Sequence, residues 1–528
     1  MTKSVLIVGT GLAASGAVRA FIDAGKKITV FDTGLELPSE FKNRFSQHRF
    51  TNPVDWTPAM HEEFFSDAVG KFGSIPKKTL FGSTYFYGES RAGGIFSKRS
   101  DIPPLSYASG GLSAGWGAAV LPPDSADIRT WPISTDIVDA ISKDMLARLP
   151  YSYRDDALSL NFLVPSGTNE AAIKLSKYEQ HLLSKLVQKN KIEKGKLLIG
   201  QARQLVRCDG LNQCLYCGHC MGGCVFGAIY SAKDDFDFWQ KSDLITLERG
   251  RLVVSVEQVE DNVKVEYLKE DGSKHSKFFS KVFLAAGAVN STRIYLQSLN
   301  QYNVALTLKT RGGFVLPMVS IRKIREPTEL KNTMPSFFIE LKEPINDTWV
   351  HTQVSVGNEL LERQVRGLCT KLRLPKKINQ IVLSRLAVGL VNFHSVHGGT
   401  YELTLKRKDN SRMSELHSKH VKRWPRFAVL FNVIMKLTKV LCKGGIIPIW
   451  PAIKLNSGSY HIGCSLPMST SPSPFETDEL GVTTISPNVH FVDSSSFPDL
   501  PGTSVGLLSM VNAYRIAKEV IKIHDQVQ

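Results

Sequence analysis

The chain has 528 residues, 42% hydrophobic and 22% charged, which excludes a disordered protein and leaves room for two or three domain-sized units. Lys and Arg (65) outnumber Asp and Glu (49), giving a formal charge of +16 that favours anionic partners: nucleic acid, an acidic membrane surface or a phosphorylated substrate. Eight cysteines in this length exclude a disulfide scaffold. No secretory signal pattern stands at the start, and no uncharged apolar run reaches about 18 residues, so a cytoplasmic protein without a spanning helix is expected.

The opening "SVLIVGTGLAASGAVRAFIDAGKKITVFDTG" reads strand, glycine turn, helix, strand. Val5 to Val8 is an apolar run of buried-strand type. Gly9-Thr10-Gly11 makes the turn; Ala14 stands where a third glycine is often found, and Gly16 follows. The helix runs to about Ala24, Gly25 ends it, and Ile28 to Phe31 leads to Asp32 at the second strand's tip. Glycines let the backbone approach a pyrophosphate, and the helix N-terminus offers free N–H groups and a positive dipole end. An acidic residue at the second strand's tip accepts ribose hydroxyls and disfavours a 2′-phosphate, so FAD or NAD is expected over NADP.

Next comes "SYASGGLSAGWGAAVLPP", in which Gly110, Gly111, Gly115 and Gly117 surround Ser113 and Trp116. This glycine density suits a backbone wrapped around a flat ligand, or equally a loop packed on Trp116. Five of the eight cysteines then fall between Cys208 and Cys224. Cys214-x2-Cys217-x2-Cys220-x3-Cys224 has the spacing of bacterial ferredoxins, with Val225 in place of the usual proline. Cys214, Cys217 and Cys220 are the expected iron–sulfur ligands, with Cys224 or Cys208 as a fourth. With neither, a three-iron [3Fe-4S] cluster results; with one, a [4Fe-4S] cluster. A structural zinc site and a reduced thiol patch are the alternatives.

Beyond the cysteines, "RLVVSVEQVE" and "NVKVEYLKEDGSK" alternate apolar and polar residues as a β-meander does. "KVFLAAGAVNSTRIYLQS" reads as a buried strand ending in Ala285-Ala286-Gly287, with a helix from near Ser291. Farther on, "HSKHVKRWPRFAVLFNVIMKLTKVLCKGG" (417–445) carries Phe427, Leu430, Phe431, Ile434, Leu437 and Leu441 at helical spacing. Lys436, Lys439 and Lys443 fall off that stripe, and Lys422, Arg423, Trp424 and Arg426 lead in. This is the pattern of a basic helix lying on an anionic membrane, or of a core helix with a basic outer face. "RQVRGLCTKLRLPKKINQIVLSRL" is similar. No nucleic-acid-binding motif accompanies the charge, so nucleic acid is not expected. Near the end, a strand reaches Asp493, a Pro- and Gly-rich turn follows, and a helix closes the chain.

Five pieces together carry a resemblance: "VGTGLAASG", "GGLSAGWG", "AAGAVNST", "YHIGCSLPM" and "NVHFVDSSSFPDLPGTS". In this order, from Val8 to Ser504, they resemble the glucose–methanol–choline (GMC) family of FAD-dependent alcohol oxidoreductases. The resemblance implies an α/β protein with a discontinuous Rossmann-like FAD-binding domain (1–125, 195–310 and 455–528, including the cysteine-rich insert 205–232). It implies a substrate domain (126–194 and 311–454) on a mostly antiparallel sheet. "GGFVLPMVSIRK", "MPSFFIELK", "WVHTQVSV" and the pair "AVGLVNFH"/"TYELTLK", joined by a His397-Gly398-Gly399 turn, read as its strands. The FAD contacts it implies are Gly9, Gly11, Ala14, Gly16, Asp32, Gly110, Gly111, Ser113, Trp116, Gly117, Ala286, Gly287, Asp493 and Ser504. No histidine stands near Ser113 for covalent attachment, so non-covalent FAD is expected.

Alcohol oxidation removes a hydroxyl proton and a hydride, so a base of near-neutral pKa is needed, and histidine suits this. His461 matches the family's active-site histidine. The family's second His or Asn on the turn before the last helix is here Ser504, an orienting group rather than a base. "YCGHCMGGCVFGAIYSA" also resembles the cysteine-rich segment of membrane-linked gluconate and fructose dehydrogenases of this family, where an iron–sulfur cluster is the electron exit. The expectation is a dehydrogenase acting on a small-molecule or lipid- or sugar-linked alcohol or polyol, peripheral to the membrane, with a quinone or cytochrome acceptor. The alternatives are an oxidase or isomerase with a structural metal knot, or a flavin/iron–sulfur carrier with a degenerate alcohol site.

Overall fold

The computed structural model describes residues 4–64, 78–87, 101, 103–165, 171–326, 329–357, 359–407, 414–421, 425–450, 453–454 and 460–527. Val5–Val8 becomes a strand because a run of apolar residues can be buried on both faces of a parallel sheet. Among the described residues that sheet has six strands, in the order Val482–Thr483, Ser486–Phe491, Lys281–Leu284, Val5–Val8, Ile28–Phe31, Ile245–Glu248. All its pairings are parallel except the Val482–Thr483 edge. Successive side chains point to opposite faces. Ile7 joins the core under the helices Leu12–Asp23 and Val505–Val527, whereas Leu6 and Val8 join the core under the meander and the helix Ala288–Ser298. The two helices of the first face touch closely: a Cβ on Gly16 would stand 2.0 Å from the Met510 carbonyl oxygen.

The second body is an antiparallel sheet of seven strands among the described residues. Ile446–Pro448, Gly313–Ser320, Leu386–Asn392, Trp349–Val356, Phe337–Lys342 and Leu197–Gln201 follow in order, with Ile453–Lys454 also on Gly313–Ser320. The helices Lys177–Lys189 and Phe427–Gly444 cover one face, burying Leu182, Leu186, Val429, Val433 and Leu437 against Leu316, Ile339 and Val391. A smaller sheet (Glu415–Val421, Thr400–Lys406, Ala305–Thr310, Ile462–Gly463) connects the two bodies.

Three sequence expectations change. Leu386–Asn392 and Thr400–Lys406 are not a hairpin: they lie in different sheets. The chain crosses through Ser395–His397, and Gly398 sits so close to Thr310 that a Cβ would be 1.7 Å from its oxygen. Leu197–Gln201 pairs antiparallel with Phe337–Leu341 in the second sheet; an apolar run fits a buried strand of either sheet. The helix after Gly287 begins at Ala288, three residues earlier than read.

The third change concerns the stripe read along 427–441, which divides. Leu437 and Leu441 are core, while Phe427 is 81% exposed and Phe431 and Met435 are each 54% exposed. The true buried stripe is Val429, Val433, Leu437, Val440 and Leu441, because the sheet lies under that side. Lys422, Arg423 and Trp424 lie outside the described residues. No helix of the described residues is long and apolar enough to cross a membrane.

Candidate active site

The first strand–turn–helix converges with two other turns on one cradle. Gly9 has φ +108°, and a Cβ there would stand 2.5 Å from the Ala285 oxygen, so Ala285-Ala286-Gly287 lies directly against the glycine turn. Gly111 approaches Gly11 in the same way, with a Cβ 3.3 Å from the Gly11 Cα. Thr10 Oγ1 donates to Asp32 Oδ2 (2.9 Å) and accepts from Gly110 N–H (2.9 Å), and Gly34 N–H donates to Asp32 Oδ1 (2.6 Å). The first turn of Leu12–Asp23 carries no acidic residue, so its positive end is uncompensated. Burial raises the Asp32 carboxyl to about 6 against the pull of Gly34 and Thr10. Asp493 accepts from Ser291 Oγ (2.6 Å) and Ser495 N–H (2.9 Å), tying the end of the last strand to the helix that Gly287 opens.

Other expected cofactor residues have partners of their own. Ser113 Oγ donates to the Gly110 oxygen (2.6 Å) and accepts from Ala232 N–H (3.0 Å). Trp116 Nε1 donates to the Tyr230 oxygen (2.7 Å), and its ring lies against Gly506 at the start of the last helix. Ser113 and Trp116 therefore anchor the glycine loop to the exit of the cysteine-rich segment. Ala14 is buried, and Gly16 is used for helix packing.

His461 lies at the crossing of the two bodies, next to Ile462, which pairs with Thr310. Burial, then the electrostatic effect of neighbouring Arg311 and His351, holds its pKa well below the ordinary histidine value, so it is neutral at pH 7. Arg311 Nη1 donates to the oxygens of Gly502 (2.6 Å) and Thr503 and so fixes the turn that carries Ser504. Ser504 is buried, and its N–H donates to the Leu121 oxygen (3.3 Å). Cys464 is packed in the core, where burial pushes its thiol up.

Sequence reasoning missed His351. Its Nδ1 stands 2.6 Å from Oε1 of the fully buried Glu340, and its Nε2 lies 3.0 Å from Gln353 Nε2. Alternation in "WVHTQVSV" puts His351 and Gln353 on one face, but the Glu340 partner depends on strand register.

The cysteines form a second centre. Cys214, Cys217, Cys220 and Cys224 line one cavity, with Asn332 and an otherwise apolar wall that includes Phe226. Burial raises the Cys214, Cys217 and Cys220 thiols. N–H groups are directed at the sulfurs: Ala228 N to Cys224 Sγ (3.2 Å), Thr333 N to Cys220 Sγ (3.4 Å) and Asn332 Nδ2 to Cys214 Sγ (3.8 Å). The Tyr216 and His219 backbones bond Cys214 and Cys217. Cys208 differs: its Sγ donates to the Val206 oxygen at 3.7 Å and accepts from the Ser152 hydroxyl. Among the described residues, no group of three or more His, Cys, Asp and Glu side chains is drawn together as a single metal ion requires.

Two stretches join this centre to the glycine loop. Met334 Cε lies 2.8 Å from where a Gly117 Cβ would stand, one residue from Thr333. Lys78 Nζ donates to the Trp116 oxygen (2.6 Å), while Phe81 N–H donates to the Gly222 oxygen (2.7 Å) in the cysteine loop. Burial lowers the Lys78 pKa; Cys220, Glu359 and Cys224 oppose that fall.

This arrangement is similar to solved structures over its whole length. Pyridoxine 4-oxidase from Mesorbium loti matches with a TM-score of 0.59 at 13% identity, covering 99% of each chain. Formate oxidase matches with a TM-score of 0.60 at 11% identity, covering 100% of each. The chain shares their fold. A fungal aryl-alcohol oxidase also matches, with a TM-score of 0.54 at 12% identity and 99% of each chain covered. The shared fold is the mixed α/β architecture expected above, a Rossmann-like domain joined to a second, antiparallel domain. No family model and no curated protein matches the sequence.

Proposed function

We propose that this protein is an FAD-dependent oxidoreductase of the GMC type that oxidises the CH–OH group of an alcohol or polyol. The observation that carries the reading is the meeting of the glycine cradle with a half-buried, neutral histidine. The start of the last helix touches Trp116 and Leu12 at Gly506, and the turn before it is held by Arg311 beside His461. The residues present fit the cofactor. Gly9, Gly11 and Gly111 leave backbone-lined space, Asp32 retains lone pairs for ribose hydroxyls, and the first helix offers free N–H groups. Gly110, Gly117, Ala286, Gly287 and Asp493 are assigned to the same cradle. The FAD domain comprises 1–125, 202–310 and 455–528, and the substrate domain 126–201 and 311–454.

FAD, when bound, supplies the hydride acceptor. His461 takes the hydroxyl proton, Ser504 orients the substrate oxygen, and His351 beside Glu340 supplies a second imidazole. Excess alcohol added without oxygen should bleach the flavin absorbance of the purified protein; a flavin that stays oxidised with a broad panel of alcohols and polyols would favour a non-catalytic carrier.

The finer reading is a dehydrogenase whose electrons leave through an iron–sulfur cluster on the Cys214–Cys224 loop to a quinone or cytochrome. The four-cysteine cavity and its N–H donors support it. A second reading, with oxygen as acceptor, is favoured by the three similar structures named above, each an oxidase. Peroxide release matching alcohol consumed, unaffected by an added quinone, would select it. We assign the exposed Phe427, Phe431 and Met435, bordered by Lys436, Lys439 and Lys443, to an anionic membrane surface. The protein should co-sediment with phosphatidylglycerol vesicles, and Phe427→Ser/Phe431→Ser should not; a wild type that stays in the supernatant at low salt defeats the assignment.

A further inference from the structure

The geometry points to Cys224, and not Cys208, as the fourth thiolate of the cysteine cage, so that the pocket takes a four-iron, four-sulfide cluster. This inference rests on the iron–sulfur reading above and decides what the spacing left open.

Three observations carry it. First, the cavity is lined by Cys214, Cys217, Cys220 and Cys224, and Cys208 is not in its wall. Second, hydrogen bonding separates the two kinds of sulfur. A metal-bound thiolate is an acceptor, and a protonated thiol is a donor. The sulfurs of Cys214, Cys217, Cys220 and Cys224 all accept N–H groups. Cys208 Sγ instead gives its proton to the Val206 oxygen, and what it accepts is the Ser152 hydroxyl.

Third, the local backbone turns Cys224 inward. Gly223 takes φ +115°, the Gly227 N–H closes a turn on the Cys224 oxygen (3.1 Å), and the next N–H, that of Ala228, reaches the sulfur. Four thiolates around one cavity offer one ligand to each iron of a cuboidal cluster; three would leave a corner without protein. Donors from Asn332 and Thr333, more than 100 residues away in the chain, show that the cage is completed by the second body.

The test is iron and acid-labile sulfide per chain, with electron paramagnetic resonance, on full-length protein purified without oxygen. The wild type should hold about four irons and four sulfides, silent when oxidised and paramagnetic on one-electron reduction. Cys208→Ala should be indistinguishable from it. Cys224→Ser should fall to about three irons and show the oxidised-state signal of a three-iron cluster. Three irons in the wild type, or a cluster lost in Cys208→Ala, overturns the assignment of Cys224 and leaves the iron–sulfur reading standing. Zinc, or no metal, in the wild type overturns both. The wild-type count and Cys208→Ala decide the matter even where Cys224→Ser does not fold.

Discussion

His461→Ala should lower kcat by about 10²- to 10⁴-fold, the range for loss of a positioned general base, while the protein retains its full complement of flavin. The separation of the two readouts follows from geometry. His461 is bracketed by Arg311, the strand pairing of Ile462 and the turn before the last helix, whereas the dinucleotide cradle is built from Gly9, Gly11, Asp32 and Gly111. Its pH dependence has a definite sign. Burial, then the neighbouring Arg311 and His351, hold the imidazole pKa well below the ordinary value, so the neutral base persists as pH falls through 6.5. The acid limb of kcat/KM should therefore lie below the ordinary histidine range in the wild type. A variant that keeps the wild-type rate would assign His461 a structural role and move the base to His351.

Asp32→Asn should act in opposite directions on the flavin-free and flavin-bound protein. Burial raises the Asp32 pKa from 3.8 to about 6 in the folded chain. The native state then holds this proton more tightly than the unfolded state does. The contribution to stability is complete below about pH 4 and is lost as pH rises through 6. By neutral pH the buried carboxylate costs about 3 kcal/mol, an upper figure. Asparagine removes that cost and keeps the contacts: its amide oxygen accepts from Gly34 N–H, and its NH₂ donates to Thr10 Oγ1. The flavin-free variant should be more stable than wild type at pH 7 and equal to it near pH 4, by urea denaturation. Its FAD affinity should fall by about 10- to 100-fold, the worth of a charged acceptor on a ribose hydroxyl. Lower stability at pH 7, or unchanged FAD affinity, would show that Asp32 serves the turn and not the ligand.

The opening was legible because each step is a short-range constraint. An apolar run, a glycine pair, a helix ended by Gly25 (φ +66°) and a second apolar run leave little freedom, and the structure reproduces them nearly residue for residue. The meander and the strands of the second sheet were legible by alternation. Sheet membership was not. Leu386–Asn392 and Thr400–Lys406 look like a hairpin locally, but the close approach of Gly398 to Thr310 routes them into different sheets. Leu197–Gln201 likewise has the apolar content of either body.

For the candidate site, the sequence by itself determined the chemistry available: a dinucleotide turn, one well-placed histidine and a run of closely spaced thiols. Only the tertiary structure decided the company they keep. It gave His351 its buried Glu340, placed Arg311 on the turn of Ser504, set Lys78 on the oxygen of Trp116, and brought Asn332 and Thr333 to the sulfurs of Cys214 and Cys220. Residue type and spacing encode what a group can donate or accept, whereas strand register and the packing of one body on the other encode which group it meets. Those are set by burial summed over the whole core, which no short window of sequence contains.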